Sequence, residues 1–126
     1  MDHIFISYTH LDADFAENLS NKLKVAGFNT WIDYAGLKAG DDWRKGIEQA
    51  IKEASALVLI MSPESISSPY VTFEWAFAYG AGVQIIPILY RSCVLHPKLE
   101  LWQYLDFTHR LNRPWDILVE RLQFTR

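Results

Sequence analysis

The segment Ala56–Met61 (ALVLIM) constrains the fold of this chain more than any other part of the sequence. All of its side chains are apolar, so an extended strand there would have to be buried on both faces. Strands buried on both faces are typical of parallel sheets that helices cover on each side. The segment therefore predicts an interior strand of an α/β fold.

Short runs rich in β-branched and aromatic residues predict four further strands. These are Ile4–Thr9, Phe28–Ile32, Val83–Tyr90 and Tyr104–Thr108. Because Pro87 has no backbone N–H, the fourth strand must bulge there or lack a partner on one side.

Segments with helical spacing of apolar residues separate these strands. The first helix is expected to begin at a cap, Asp12 or Asp14, and to end at Gly27. The second helix is expected to follow a cap at Asp41 or Asp42, and the third to cover Pro69–Tyr79 after the loop Ser62–Ser68. The last helix is marked by the apolar residues Trp115, Leu118, Val119 and Leu122. The third helix is apolar nearly all round and is expected to be largely buried.

The alternation of strands and helices predicts one α/β domain over residues 1–126. We expect a flavodoxin-like three-layer sandwich, with a five-stranded parallel sheet of order 2-1-3-4-5 and helices on both faces.

Composition excludes several classes of protein. The net charge is −3 and no block of Lys and Arg is present, which argues against a nucleic-acid surface. The single cysteine, Cys93, and the scattered histidines match no metal-site spacing, so no metal is expected. No leader-like start and no apolar run of membrane-spanning length is present. These features predict a cytoplasmic domain without membrane contact.

In a sheet of this order, ligands bind beyond the carboxyl ends of the strands, where the winding reverses between strands one and three. The residues leaving strand one are Ser7, Tyr8, Thr9 and His10, and those leaving strand three are Ser62–Ser68, followed by the helix that carries Glu74. The polar loop Asp33–Gly40, which follows strand two, flanks the crevice expected between these two segments. The sequence therefore predicts a binding site there.

Glu74 is the polar exception on the third helix, between Phe73 and Trp75, with Tyr70 one turn before it. A carboxylate among aromatic groups is costly unless something binds it. A functional role is one interpretation; the other is a surface glutamate or an ion pair with a basic residue such as Arg91.

Four ordered motifs together resemble the TIR (Toll/interleukin-1 receptor) domain. They are Ile4–Tyr8 (IFISY); Gly27–Asp33 (GFNTWID) with Leu37, Gly40 and Trp43; Leu57–Ser65 (LVLIMSPES); and Ile85–Ile88 (IIPI). The resemblance covers essentially the whole chain.

The resemblance implies an enzyme that splits the nicotinamide–ribose bond of NAD, which is its substrate and not a cofactor. Enzymatic members carry a glutamate on the third helix with an aromatic residue four positions earlier, which Glu74 and Tyr70 match. It also implies that Ser7, Tyr8, Thr9 and His10 face the nucleotide, although the arginines that follow the tyrosine in some animal relatives are absent here. The product is either ADP-ribose or a cyclic isomer of it.

The alternative within the same family is a signalling scaffold without enzymatic activity. Members of the family associate through the segment called the BB loop, here Asp33–Asp42, and an oligomer or filament is expected for the active state. By family analogy, the biological setting would be innate immunity or antiphage defence.

The remaining candidates each have a plainer interpretation. Trp43 would contact the nucleotide base or anchor the second helix in the core. Asp33 would bind substrate or form a turn, and His10 is a single loop histidine. A phosphoacceptor receiver domain has the same predicted fold, but it needs acidic residues where this chain has Ser7–His10.

Overall fold

The computed structural model describes residues 2–32 and 43–125. Its elements, in chain order, are β1 (His3–Ser7), a 3₁₀ turn (His10–Asp12), α1 (Ala13–Val25), β2 (Thr30–Ile32), α2 (Trp43–Lys52), β3 (Ala54–Met61), α3 (Pro63–Ile66), α4 (Pro69–Gly80), β4 (Gln84–Leu89), α5 (Pro97–Glu100), β5 (Leu105–Asp106) and α6 (Trp115–Gln123). The strands form one parallel sheet of order β2-β1-β3-β4-β5. The predicted fold and strand order are confirmed.

The two faces of the sheet are covered by different helices because successive strand residues point to opposite sides. In β1, Ile4 and Ile6 belong to a core that includes residues of α1 and α6. Phe5 belongs to the core on the other face, with residues of α2 and α4. This alternation decides which helix each residue of the strand can contact.

The interior position of β3 agrees with its composition. Each residue of Ala56–Met61 has 0% of its surface exposed, and β3 pairs with β1 on one side and with β4 on the other. Burial on both faces is what the uninterrupted apolar run predicted.

Two segments differ from the expected pattern. The predicted loop Ser62–Ser68 contains the short helix α3, in which Ser62 accepts a hydrogen bond from the Ser65 amide and the Ser65 hydroxyl accepts one from the Ser62 amide. The helix α5 was not predicted. Helices of four residues carry too few positions for a periodic apolar signal.

The capping of α1 also differs from the expectation. Asp12 occupies the N-cap position, but its side chain makes no capping hydrogen bond, and Asp14 lies inside the first turn. The prediction that an aspartate caps this helix is therefore wrong, because the Asp12 carboxylate contacts other strand ends instead. The predicted end of the helix is correct, since Gly27 has a φ of 99°, a conformation that glycine adopts without strain.

Pro87 lies in β4 directly opposite Leu59 of β3, without a bulge. On the other side, β5 pairs with Ile88 and Leu89, beyond the proline. Among the described residues, the second of the two alternatives predicted for Pro87, a missing partner on one side, is confirmed.

The helix α4, which was expected to be largely buried, is fully buried along one side only. Val71, Glu74, Trp75 and Ala78 are buried, whereas Tyr79 is 54% exposed.

Within the described residues, no helix has the length and apolarity required to cross a membrane. The predicted loop Asp33–Gly40 and the predicted caps Asp41 and Asp42 lie outside the described residues.

Candidate functional site

The ends of β1 and β3 meet where the winding of the sheet reverses. Ser7 is the last residue of β1 and pairs with Leu59 of β3, two residues before β3 ends at Met61. The polar residues that follow the two strands therefore lie at one edge of the sheet, as expected for a ligand site in this fold.

Glu74 reaches this edge from α4, the helix that covers one face of the sheet. Its side chain is 1% exposed, and its Oε1 accepts a hydrogen bond of 2.7 Å from the Ser7 hydroxyl. The contact follows from strand alternation, because Ser7 lies on the same face of β1 as Phe5, the face that α4 covers. The structure thus brings together two residues that are 67 positions apart in the sequence.

The placement of Glu74 depends on where α4 begins. Ser68 caps the helix by accepting a hydrogen bond of 3.2 Å from the Val71 amide, and Pro69 follows at the first helical position. From this start, Val71, Glu74, Trp75 and Ala78 share the buried side of the helix. Tyr70, one turn before Glu74, is half-buried against the same core.

The suggested ion pair between Glu74 and Arg91 is not what Arg91 forms. Its Nη2 donates to Asp12 Oδ1 at 3.0 Å and to Glu64 Oε1. Arg91 extends from the end of β4 toward the carboxylates of Asp12 and of Glu64 in α3, so the suggested pair of Glu74 with Arg91 is wrong.

The other predicted contact residues are distributed differently. The Tyr8 ring packs in the core beneath α1 and α6, on the face of the sheet opposite Glu74. Thr9 is half-buried at the start of the 3₁₀ turn, and His10 is exposed at the same edge. Asp33 lies outside the described residues, and so does the side chain of Trp43, whose backbone begins α2.

A second polar group at this edge was not predicted. The Asp12 carboxylate is 1% exposed, and its Oδ2 accepts a hydrogen bond of 2.5 Å from the hydroxyl of Ser62. The hydrogen bond to Asp12, and to a smaller extent the one to Glu64, raises the pKa of Arg91. The pKa of Glu64 is lowered mainly by a hydrogen bond from its own backbone amide and further by the one from Arg91. Arg91 and Glu64 are therefore both charged at neutral pH.

The arrangement around Glu74 suits the stabilisation of positive charge. A carboxylate surrounded by apolar groups acts more strongly on a nearby charge than an exposed one, because less water screens it. Its oxygens can also accept hydrogen bonds from the hydroxyls of a ligand. Within residues 2–32 and 43–125, no three His, Cys, Asp or Glu residues are grouped as metal ligands would be.

A cavity of about 620 Å³ lies elsewhere, at the amino end of β4. Its lining includes Tyr79, Gln84, Trp102 and Arg121. None of the predicted site residues that the structure describes lines it, and it is separate from the edge that holds Glu74.

Comparison with known proteins gives one family and several similar chains. The family described as "TIR domain" matches residues 4–123. The chain is 32% identical over 71 residues to a 2′ cyclic ADP-D-ribose synthase of Bacteroides thetaiotaomicron, covering 56% of this chain and 25% of that protein. It is 35% identical over 60 residues to an NAD(+) hydrolase of Paracoccus denitrificans, covering 47% and 20%. The chain thus matches a quarter or less of the length of these two relatives.

Among solved structures, the TIR domain of a Toll-related receptor from Hydra magnipapillata has the same architecture. The TM-score is 0.83 at 28% identity, and the alignment covers 95% of this chain and 97% of that one. The likeness therefore extends over the whole domain and is not limited to the matched motifs.

Proposed function

Because the chain belongs to the TIR domain family, which its match over residues 4–123 establishes, we propose that it cleaves the nicotinamide–ribose bond of NAD, with Glu74 as the catalytic carboxylate. The observation that carries the proposal is a buried carboxylate at the edge where β1 and β3 end, bound by the hydroxyl of Ser7. The relatives named as an NAD(+) hydrolase and a cyclic ADP-ribose synthase support the same reaction class.

The chemistry of the bond matches a site with one carboxylate. Nicotinamide carries a positive charge in NAD and leaves as a neutral molecule, so its departure needs little help from an acid. Positive charge then develops on the ribose, as in glycoside cleavage. Glu74 would accept hydrogen bonds from the ribose hydroxyls and stabilise that charge. Capture by water gives ADP-ribose, and capture by a group of the substrate itself gives a cyclic isomer.

The remaining site residues have assigned roles in this proposal. Ser7 orients Glu74, while Thr9 and His10 contact the nucleotide from the end of β1. Since the Tyr8 ring is in the core, Tyr8 would contribute through its backbone. Tyr70 offers an aromatic face for stacking, and Asp33 and Trp43 complete the binding surface. NAD is the substrate, and no separate cofactor takes part.

Self-association is part of the proposal. The family resemblance supports association with other TIR domains through residues 33–42, within a cytoplasmic protein of immune or antiphage defence. The substrate site would then be completed by a neighbouring subunit, and the isolated domain would be less active than the assembly.

The test compares the monomeric chain with the same chain fused to an oligomerising scaffold. We expect nicotinamide release from NAD, followed by chromatography, to be at least about tenfold faster per chain in the assembled form. No release from a folded assembly would reject the enzymatic proposal and favour the scaffold function. Chromatography of the adenine-containing products separates ADP-ribose from cyclic isomers.

Ser7→Ala is expected to lower kcat by about tenfold to a hundredfold, since misplacing a reacting group by about 1 Å costs on that order. KM is expected to change little, because Ser7 is fully buried and contacts Glu74. Ser55→Ala, a half-buried serine at the other end of the sheet, is the matched control. Unchanged kcat in Ser7→Ala would remove Ser7 from the orientation of Glu74.

A further inference from the structure

Asp12 occupies a capping position and does not cap. Aspartate at a helix N-cap ordinarily accepts a hydrogen bond from the first turn of the helix, whereas the Asp12 side chain makes no such bond. Its carboxylate is bound instead by Ser62, 50 residues away, and by Arg91, 79 residues away. The Asp12 side chain makes two long-range contacts in place of a capping bond. It therefore connects distant segments of the chain at this edge of the sheet.

These contacts join three strand ends. Asp12 closes the 3₁₀ turn after β1, where its amide donates to the Thr9 carbonyl at 2.8 Å. Ser62 directly follows β3, and Arg91 lies two residues after the last residue of β4. Through Glu64, Arg91 also contacts α3, the short helix that precedes α4. The turn formed by residues 9–12 is therefore attached to two other strands of the sheet.

The attachment depends on charge. A buried carboxylate is stable when it is hydrogen-bonded and paired, and removing the partner leaves an uncompensated buried charge. In Arg91→Gln, the Asp12 carboxylate would lose its only described cationic partner and would gain hydration by moving outward. Because Asp12 ends the 3₁₀ turn, that movement would displace residues 9–12.

Resting on the proposed function, we propose that Asp12, Ser62 and Arg91 form a positioning set that holds the turn of residues 9–12 for nucleotide binding. The set acts on the affinity for NAD and not on the bond-breaking step. Ser7 instead affects the bond-breaking step, since it lies within β1 and contacts Glu74 directly. The two groups are therefore separable by kinetics.

The variant Arg91→Gln is expected to raise the KM for NAD about tenfold and to change kcat by less than about twofold, the pattern of lost binding that is equal in the ground and transition states. Arg91→Lys is expected to lie between wild type and Arg91→Gln, because both hydrogen bonds leave from one nitrogen, Nη2. The matched control is Arg110→Gln, an exposed arginine, which should behave as wild type.

Two further measurements do not depend on catalysis. Titration of NAD into assembled Glu74→Gln protein, with and without Arg91→Gln, should give a tenfold difference in Kd. Amide hydrogen exchange at Asp12 should be about tenfold faster in Arg91→Gln, with the amides of Leu19 and Leu23 in α1 unchanged. If either the Kd or the exchange at Asp12 is unaffected, the positioning set is rejected.

Failure of the proposed NAD cleavage can be distinguished from failure of the proposed role of Arg91. If the assembled wild type binds NAD without releasing nicotinamide, the enzymatic proposal fails, while the Kd and exchange measurements still decide the role of Arg91. If no form of the protein binds NAD, both proposals are rejected. A fall in kcat with unchanged KM would assign Arg91 to the chemical step and overturn the inference.

Discussion

Glu74→Gln is expected to lower kcat for nicotinamide release by about a thousandfold, the upper range for removing one preorganised electrostatic contact to a transition state. Glutamine retains the size of the side chain and an oxygen that accepts the Ser7 hydrogen bond. It removes the negative charge that stabilises the ribosyl cation. The measurement is single-turnover nicotinamide release by the assembled protein at saturating NAD.

The matched control for this variant is Glu17→Gln, an exposed glutamate in α1. It makes the same change in charge and should leave the rate unchanged. Thermal unfolding of both variants separates loss of chemistry from loss of fold. If Glu74→Gln retained the wild-type rate, Glu74 would have no part in catalysis and the proposed mechanism would be wrong.

Phe5→Ala is expected to lower the free energy of unfolding by about 3–5 kcal/mol, the usual range for deleting a buried aromatic side chain. Phe5 is 0% exposed in β1, which has a strand on each side, and its ring stacks on Trp31 with 4.8 Å between centroids. The deletion removes this stacking and leaves a cavity beneath α2 and α4. Urea unfolding of the monomer, followed by tryptophan fluorescence and circular dichroism, gives the free energy.

Val25→Ala is the control for the core variant, since Val25 is 90% exposed at the end of α1. Its unfolding free energy should change by less than about 0.5 kcal/mol. A loss below about 1 kcal/mol for Phe5→Ala would contradict the close packing of this face. Because Phe5 and Ser7 share a face of β1, we also expect faster amide exchange at Ser7 in Phe5→Ala.

The architecture was predictable because its strongest signals are local. The apolar run Ala56–Met61 indicates a strand with both faces covered, and the alternation of strands and helices then leaves few possible strand orders. The short helices α3 and α5 were missed because a single turn has no repeating apolar face. The start of α1 was placed correctly, but the sequence did not reveal that Asp12 would bind elsewhere.

The site was predictable to the level of strand ends. Strand order places Ser7 near the helix that carries Glu74, and strand alternation determines the face on which Ser7 lies. The hydrogen bond between the two side chains was not predicted. The partners of Arg91 did not follow, because a long side chain at a strand end reaches several acidic groups. Only the three-dimensional positions of Asp12 and Glu64 decide which it contacts. The same holds for Tyr8, whose ring faces away from Glu74.

The proline in β4 has a consequence for how copies of the chain can associate. An open strand edge invites pairing with a strand of another molecule, which leads to uncontrolled aggregation. The β4 edge from Gln84 to Pro87 extends beyond the described pairs with β5, and Pro87 removes a backbone donor there. A sheet continued from one molecule into the next is therefore disfavoured along this edge. Ordered assembly would then proceed through side-chain surfaces, which substitution can weaken or strengthen without disturbing the sheet.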